Sequence, residues 1–404
     1  MKYETIKIES VCIKVISGGT PLTSQSSFYY PQEIPWLKTA EVNYCRIYDT
    51  ENYISKEGLE RSSAKLIPEN SIIVAMYGQG DTAGRVAINK IPLSTNQACC
   101  NLIVNPEIAN YEYVYYALSN IYDKLVSLKN GGAQPNLNVA IVKSIEIPFP
   151  KLEIQNKIAA ILSAYDNLIE NNQKQIKLLE EAVQRLYKEW FVDLRFPNYE
   201  ECKIIDGVPE GWKRLLISDV CETIGGGTPA TRVNEYYQDG EIRWVTPTDI
   251  TKNKSIILLD SEKKITKLGL ERSAARMVPP YTILMTSRAS VGYFGICEHE
   301  VCTNQGFISC VPFEENVRYF LLYNLMNRVE EIRQKASGST FLEISKKSFR
   351  ELEIVLPDSH VLEMFNKVII PYIKQIEVSV KKMSQLLQAR ERILPKLMSR
   401  EIEI

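Results

Sequence analysis

Histidine is nearly missing from this 404-residue sequence: only His299 and His360 occur. They stand far apart in the chain, so histidine-based acid–base chemistry has little to build on. The nine cysteines, Cys12, Cys45, Cys99, Cys100, Cys202, Cys221, Cys297, Cys302 and Cys310, contain no Cys-x-x-Cys spacing. Reduced buried thiols are therefore expected, with no disulfide framework and no metal site. No run approaches the roughly 18 uncharged apolar residues of a membrane helix, and the opening residues MKYETIKIESV lack a secretory apolar stretch. A cytoplasmic location is expected. Charge of one sign is also lacking: the formal net charge is −1. That excludes a protein that grips nucleic acid through bulk basicity. Any DNA contact must use local basic residues, with part of the phosphate neutralisation left to a partner. What remains, 45% hydrophobic and 24% charged residues, is enough to bury the cores of several domains.

The chain is written twice, with an offset of about 208 to 211 residues. ISGGTP at 16–21 returns as IGGGTP at 224–229, and Ile34-Pro35-Trp36 returns as Ile242-Arg243-Trp244. GLERSSA at 58–64 returns as GLERSAA at 269–275, Ile67-Pro68 as Val278-Pro279, and Thr95-Asn96-Gln97 as Thr303-Asn304-Gln305. Glu146-Ile147-Pro148-Phe149-Pro150 aligns with Glu353-Ile354-Val355-Leu356-Pro357. The first part of each copy holds short β-branched runs punctuated by Gly, Pro and Asn, which predicts a β-rich globular domain. Helical spacing over 111–128 and 317–332 predicts one helix near the end of each domain.

The second part of each copy differs in kind. Ile154, Ile158, Ile161, Tyr165, Leu168, Ile176, Leu179, Val183, Leu186 and Trp190 repeat at three and four residues, broken by polar Asn172. Phe365, Ile369, Tyr372, Ile376, Val380, Met383, Leu387, Leu394 and Leu397 do the same. Such stripes predict two long helices that bury their apolar seams against each other, antiparallel because each follows its own globular domain. Pro395 is expected to kink or end the second helix. The resulting α+β architecture has four segments: target domain 1–150, helix 151–198, target domain 199–357 and helix 358–404. A helix of roughly 38 residues spans about 57 Å. Two similar domains on such a rod suit a duplex whose half-sites lie about 34 Å apart.

This order of globular part, helix, globular part, helix, with Gly-Gly-Thr-Pro and Thr-Asn-Gln in each globular part, resembles the specificity subunit of type I restriction-modification systems. Pro209-Glu210-Gly211-Trp212 and Leu186-Tyr187-Lys188-Glu189-Trp190-Phe191 belong to the resemblance, which covers the whole chain. It implies that each globular domain reads half of a bipartite DNA site. The helices would bind two modification (methyltransferase) subunits, joined in the full complex by restriction and translocase subunits. S-adenosylmethionine, ATP and Mg²⁺ would belong to the partners, leaving this chain without catalysis or cofactor. The nearest match to an adenine-methyltransferase Asp/Asn-Pro-Pro-Tyr/Phe motif is Val278-Pro279-Pro280-Tyr281, and valine cannot bond the target amine. In the first copy that place holds Ile67-Pro68-Glu69-Asn70, so a turn before a strand is expected. The glycine runs lack the Lys of a phosphate loop and the third Gly of a dinucleotide fingerprint.

A residue identical in both copies cannot distinguish two different half-sites. Thr20 and Thr228, Arg61 and Arg272, Asn96 and Asn304, and Gln97 and Gln305 are thus expected to serve the fold or the phosphates. The glycines before Thr20 and Thr228 are expected to supply backbone freedom in a turn. Base readers should lie where matched loops diverge. The loop at 77–83, YGQGDTA, is longer than its counterpart RASV at 288–291, which nominates Gln79 for adenine and Arg288 for guanine. Ser24 and Gln25 against Arg232 and Asn234, and Lys38 and Thr39 against Thr246 and Thr248, come next. Gln134 and Asn136 in NGGAQPN face Thr340 in SGSTF. Tyr187, Trp190 and Phe191 are expected on the partner-binding face of the first helix, with burial of Trp190 in the rod or against a globular domain as the equal alternative. Two other classes remain open: a duplicated coiled-coil adaptor that binds protein alone, and a fused methyltransferase with its own active site.

Overall fold

The structure, a computed structural model, describes residues 3–128, 136–338 and 342–404. The chain forms two compact units: Met1–Ile169 with Leu386–Ile404, and Glu170–Gln385.

In the first unit, a five-stranded sheet runs in the order Cys12–Ser17, Cys99–Val104, Ile72–Ala75, Val86–Asn89, Arg46–Ile47. The last two strands are parallel and the other neighbours antiparallel. A smaller sheet orders Tyr53–Ile54, Ile34–Leu37, Leu93–Thr95 and Leu66–Ile67, with Ile34–Leu37 parallel to Leu93–Thr95. Strand Ile72–Ala75 is buried on both faces, as its uninterrupted β-branched run requires.

The second unit repeats this plan. Cys221–Gly225, Phe307–Pro312, Ile283–Thr286 and Phe294–Gly295 form one sheet, and a parallel bridge from Ile257 to Ile296 stands in for the fifth strand. Lys264–Ile265, Ile242–Val245, Val301–Thr303 and Met277–Val278 form the other, again with its central pair parallel. The two halves are copies in fold as well as in sequence. The Pro-Pro-Tyr stretch is the expected turn. Tyr281 (φ 59°) and its counterpart Asn70 (φ 62°) are both left-handed, and Thr282 and Ser71 donate their hydroxyls to Pro279 and Pro68 at 2.7 and 2.8 Å. The helix expected near each domain's end is two: Tyr111–Ser119 with Tyr122–Ser127, and Arg318–Asn327 with Val329–Gln334.

Two 40-residue helices, Leu152–Phe191 and Ser359–Met398, complete the fold. In the first unit Ile158, Ala159 and Leu162 share a core with Leu397 and Met398. In the second, Ile176, Val183, Tyr187 and Trp190 share one with Phe365, Ile369, Ile373, Ile376 and Val380. Early residues of one helix meet late residues of the other, so within each unit the paired segments are antiparallel.

The buried stripe departs from the expected one by a single residue in places. Leu162 and Ile169 are buried where Ile161 and Leu168 were expected, and Ile373 takes the place of Tyr372. Polar residues cause the error: the seam carries Gln155, Asp166 and Asn172, all buried, and hydrogen bonds satisfy Asp166 and Gln155 there. Asp166 accepts from Tyr116 Oη and Arg390 Nη1, both at 2.5 Å. Gln155 accepts from the Asn110 amide at 3.0 Å and donates to the Pro150 carbonyl at 2.9 Å. Pro395 does not end the second helix, which continues to Met398. All nine cysteines are free thiols, and burial pushes Cys12, Cys100 and Cys302 up to about 12. Among the described residues, no His, Cys, Asp and Glu group could hold a metal, and no helix is long and apolar enough to cross a membrane.

Candidate nucleic-acid interface

In each unit the two sheets bring four loops together. In the first unit Gly19 N–H donates to Thr95 O at 2.8 Å, Gly18 N–H to Cys99 O at 3.0 Å, Asn96 N–H to Leu37 O at 2.9 Å and Met76 N–H to Ala98 O at 2.8 Å. The ends of strands Cys12–Ser17, Ile34–Leu37, Leu93–Thr95 and Ile72–Ala75 are thereby one cluster. Leu137 N–H adds the segment at 136–137 by donating to Met76 O at 2.9 Å. The second unit makes the same links. Gly227 N–H reaches Thr303 O at 2.9 Å, Asn304 N–H reaches Val245 O at 3.0 Å, Ser287 N–H reaches Gly306 O at 2.8 Å and Ile344 N–H reaches Ser287 O at 3.0 Å.

The residues common to both copies build this scaffold. Thr20 donates its hydroxyl to Gln97 Oε1, and Thr228 does so to Gln305 Oε1. Trp36 Nε1 donates to Gly19 O at 3.1 Å and Trp244 Nε1 to Gly227 O at 2.9 Å. Tyr29 and Tyr237 donate to Pro21 O and Pro229 O, at 2.8 and 2.6 Å, and each packs edge-on against its tryptophan. Burial raises both phenols above their ordinary value, so both stay protonated donors. Asn304 accepts from Gly306 N–H at 2.9 Å in a turn.

The glycines correct one expectation. None of Gly18, Gly19, Gly226 and Gly227 has positive φ, so conformational freedom is not why they are there. A Cβ on Gly19 would lie 2.2 Å from the Ser63 backbone, and one on Gly227 2.3 Å from the Ala274 backbone. Close approach of two chain segments is what demands glycine.

The divergent positions lie on or beside this scaffold. Lys38 is exposed, its Nζ donating to Asn52 Oδ1 at 2.9 Å above the Trp36 ring. Thr246, its counterpart, precedes the helix Pro247–Lys252 and donates both its N–H and its hydroxyl to Asp249 Oδ2, each at 2.7 Å, while Thr248 is exposed and Thr39 half-buried. Ser24 and Arg232 are exposed. Gln25 opens the short helix Ser26–Phe28, and its positional match is Val233, which opens Asn234–Tyr236. Asn234 itself donates to Gln238 at 2.7 Å. Gln79 is exposed at the loop tip and its carbonyl accepts from the Thr82 hydroxyl at 2.7 Å.

Arg288 is exposed and faces Glu343, at 3.6 Å. The backbone links make Tyr77 the counterpart of Arg288, and Asn136 the counterpart of Glu343. Glu343 gives no signal in the sequence, because its approach to Arg288 depends on a bridge between distant segments. Gln134 and Thr340 lie outside the described residues. Beside the second cluster, Lys346 reaches Gly225 and Arg350 donates to Thr223 O at 3.1 Å. This gives the edge strand Cys221–Gly225 a basic border; in the first unit Val139 takes the place of Lys346 and Lys143 that of Arg350.

Tyr187 and Trp190 are buried core residues and not a partner surface, and Phe191 is half-buried beside them. Tyr187 and Trp190 are 3% and 8% exposed. All three rings pack with Phe365, Phe191 stacks edge-on against Phe320, and Asn324 donates to Tyr187 Oη at 3.0 Å. Large aromatics at the end of an amphipathic helix fill the core where helix meets globular domain, since that burial removes most apolar area from water.

The model for the type I restriction modification DNA specificity domain matches residues 1–181 and again 209–388. The specificity subunit of the type I restriction enzyme MjaIX, from Methanocaldococcus jannaschii, is 25% identical over 413 residues, spanning 96% of this chain and 91% of that one. The HindI specificity subunit of Haemophilus influenzae is 22% identical over 343 residues, 70% of this chain and 74% of its own. The crystal structure of the S subunit of a type I restriction-modification system from M. genitalium shares the fold, with a TM-score of 0.61 at 16% identity over 98% of this chain and 96% of that one. This chain, with the domain present twice, belongs to the type I restriction modification DNA specificity family.

Proposed function

We propose that this chain is the DNA-recognition subunit of a type I restriction-modification complex, each unit reading one half of a bipartite duplex site. One observation carries the reading. The same loop cluster is built twice by the same residues, Thr20 with Gln97 and Thr228 with Gln305, yet it presents different exposed side chains: Ser24, Lys38 and Gln79 in one copy, Arg232, Thr248 and Arg288 in the other. A common frame with unlike readers suits a site whose halves differ in sequence.

The chain does no chemistry itself. Adenine methylation with S-adenosylmethionine, and ATP- and Mg²⁺-dependent steps, belong to modification and restriction subunits in the cytoplasm. Methyltransferase subunits dock on the outer faces of the long helices, where Leu178 and Val378 are 65% and 56% exposed. Sharing phosphate contacts with them compensates for a net charge of −1.

The test is DNA binding by the full chain with and without its methyltransferase partner, comparing a cognate duplex with random duplex at one stated salt concentration. A cognate preference of at least about 1000-fold is expected for the complex. Equal affinity for both duplexes would favour a protein-only adaptor, and adenine methylation by the chain alone would favour an enzyme.

A further inference from the structure

Arg288 and Glu343 lie in separate segments that a short antiparallel bridge brings side by side. Ala289 N–H donates to Leu342 O at 2.8 Å and Ile344 N–H to Ser287 O at 3.0 Å, while Glu343 exchanges two backbone hydrogen bonds with Ser337, both at 3.0 Å. Ser287, 3% exposed, ties this ladder to the Thr228–Gln305 cluster through Gly306. The backbones under the two side chains are therefore held on both sides. The side chains themselves are each 47% exposed, and their Nε and Oε2 atoms stand 3.6 Å apart. That distance is an electrostatic contact and not a hydrogen bond, and a half-exposed pair of this kind holds its partners only weakly. The result is a fork of donors beside a carboxylate, pre-positioned and available to a third party.

We propose that Arg288 and Glu343 together read one G·C base pair in the half-site of the second unit, the guanidinium donating to guanine O6 and N7 and the carboxylate accepting from the cytosine N4 amino group. This rests on the reading of the chain as a DNA-recognition subunit. Along the major-groove edge only G·C offers two adjacent acceptors followed by a donor. An A·T pair would set the adenine amino group against the guanidinium and thymine O4 against the carboxylate, so the pair of residues excludes as well as selects. A carboxylate on a phosphate-rich ligand weakens binding to every sequence, and specificity at one position is what offsets that cost. The first unit places Tyr77 and Asn136 at the matching positions, with Leu137 N–H bonded to Met76 O at 2.9 Å in the manner of Ile344 and Ser287. Its half-site is read by another combination, in which asparagine suits adenine.

The experiment selects binding sites from random duplex with the full chain in complex with its methyltransferase partner, comparing wild type, Arg288→Ala and Glu343→Ala. Both variants should relax the same single G·C position by roughly 10- to 100-fold and leave the other half-site unchanged, and Glu343→Ala should also bind random duplex more tightly. Replacing that guanine with 7-deazaguanine should weaken wild type and not Arg288→Ala. Replacing the cytosine with 2-pyrimidinone, which lacks the amino group, should weaken wild type and not Glu343→Ala. Unchanged preferences, or relaxation at two different positions, would overturn the shared reading. Failure of wild type to enrich any sequence would instead overturn the DNA-recognition reading on which it rests.

Discussion

Glu180 shows how a single side chain on a long helix is coupled to its globular domain. One of its carboxylate oxygens accepts from the Ser255 hydroxyl at 2.7 Å and from the Ile256 amide at 2.8 Å. Burial nevertheless raises its carboxyl above the ordinary value, outweighing the two hydrogen bonds that lower it. A raised carboxyl binds its proton more tightly when folded. Its contribution to stability is thus most favourable below the unfolded value and declines as pH rises through the folded one. Glu180→Gln, which keeps the acceptor and removes the charge, should gain stability over wild type at pH 7 and lose that advantage by pH 4, read as the difference in urea midpoints. A difference that does not change with pH would contradict this account. At this scale the sequence located the candidate loops and could not locate their contents. Arg288 was legible as a divergent polar residue, whereas Glu343 became visible only when a bridge joined residues separated by a long stretch of chain.

Between strands and loops, glycine is placed by clearance. Three glycines in a row, Gly225, Gly226 and Gly227, face different neighbours. A Cβ on Gly227 would meet the Ala274 backbone at 2.3 Å, while one on Gly225 would meet only the end of the Lys346 side chain at 2.9 Å. Gly227→Ala should therefore cost about 1–3 kcal/mol through forced backbone movement, and Gly225→Ala much less, because lysine can swing away. Denaturant unfolding of both variants checks the ranking, and equal losses would refute it. Helix type and length were legible from periodicity. The register was not, because Gln155, Asp166 and Asn172 occupy seam positions that apolarity alone assigns to their neighbours. Tyr116, Arg390 and the backbone of the globular domain satisfy Asp166 and Gln155, so burying them costs less than an unpaired polar group would. A large aromatic misled for the converse reason: Tyr187 lies near the end of a helix that runs into a core, where Trp190 takes the buried alternative.

For the molecule as a whole, exchange of residues 1–150 for the matching domain of another family member should change one half of the methylated site and leave the other intact, as read by methylome sequencing. The donor must keep residues equivalent to Asn110 and Tyr116, since Asn110 bonds Gln155 and Asn156 and Tyr116 bonds Asp166. A change in both halves would show that the units do not read independently. Sequence by itself determined the duplication, the β-rich domains and the two long helices, because these are local or repetitive properties that periodicity and spacing express directly. Tertiary structure alone decided that Leu386–Ile404 packs with the first half of the chain, that Asp166 and Arg390 share a buried contact, and that Arg288 stands beside Glu343. Each of these joins residues distant in sequence, and a long-range contact leaves no periodic trace: it exists only where the folded backbone brings two complementary groups to the same place.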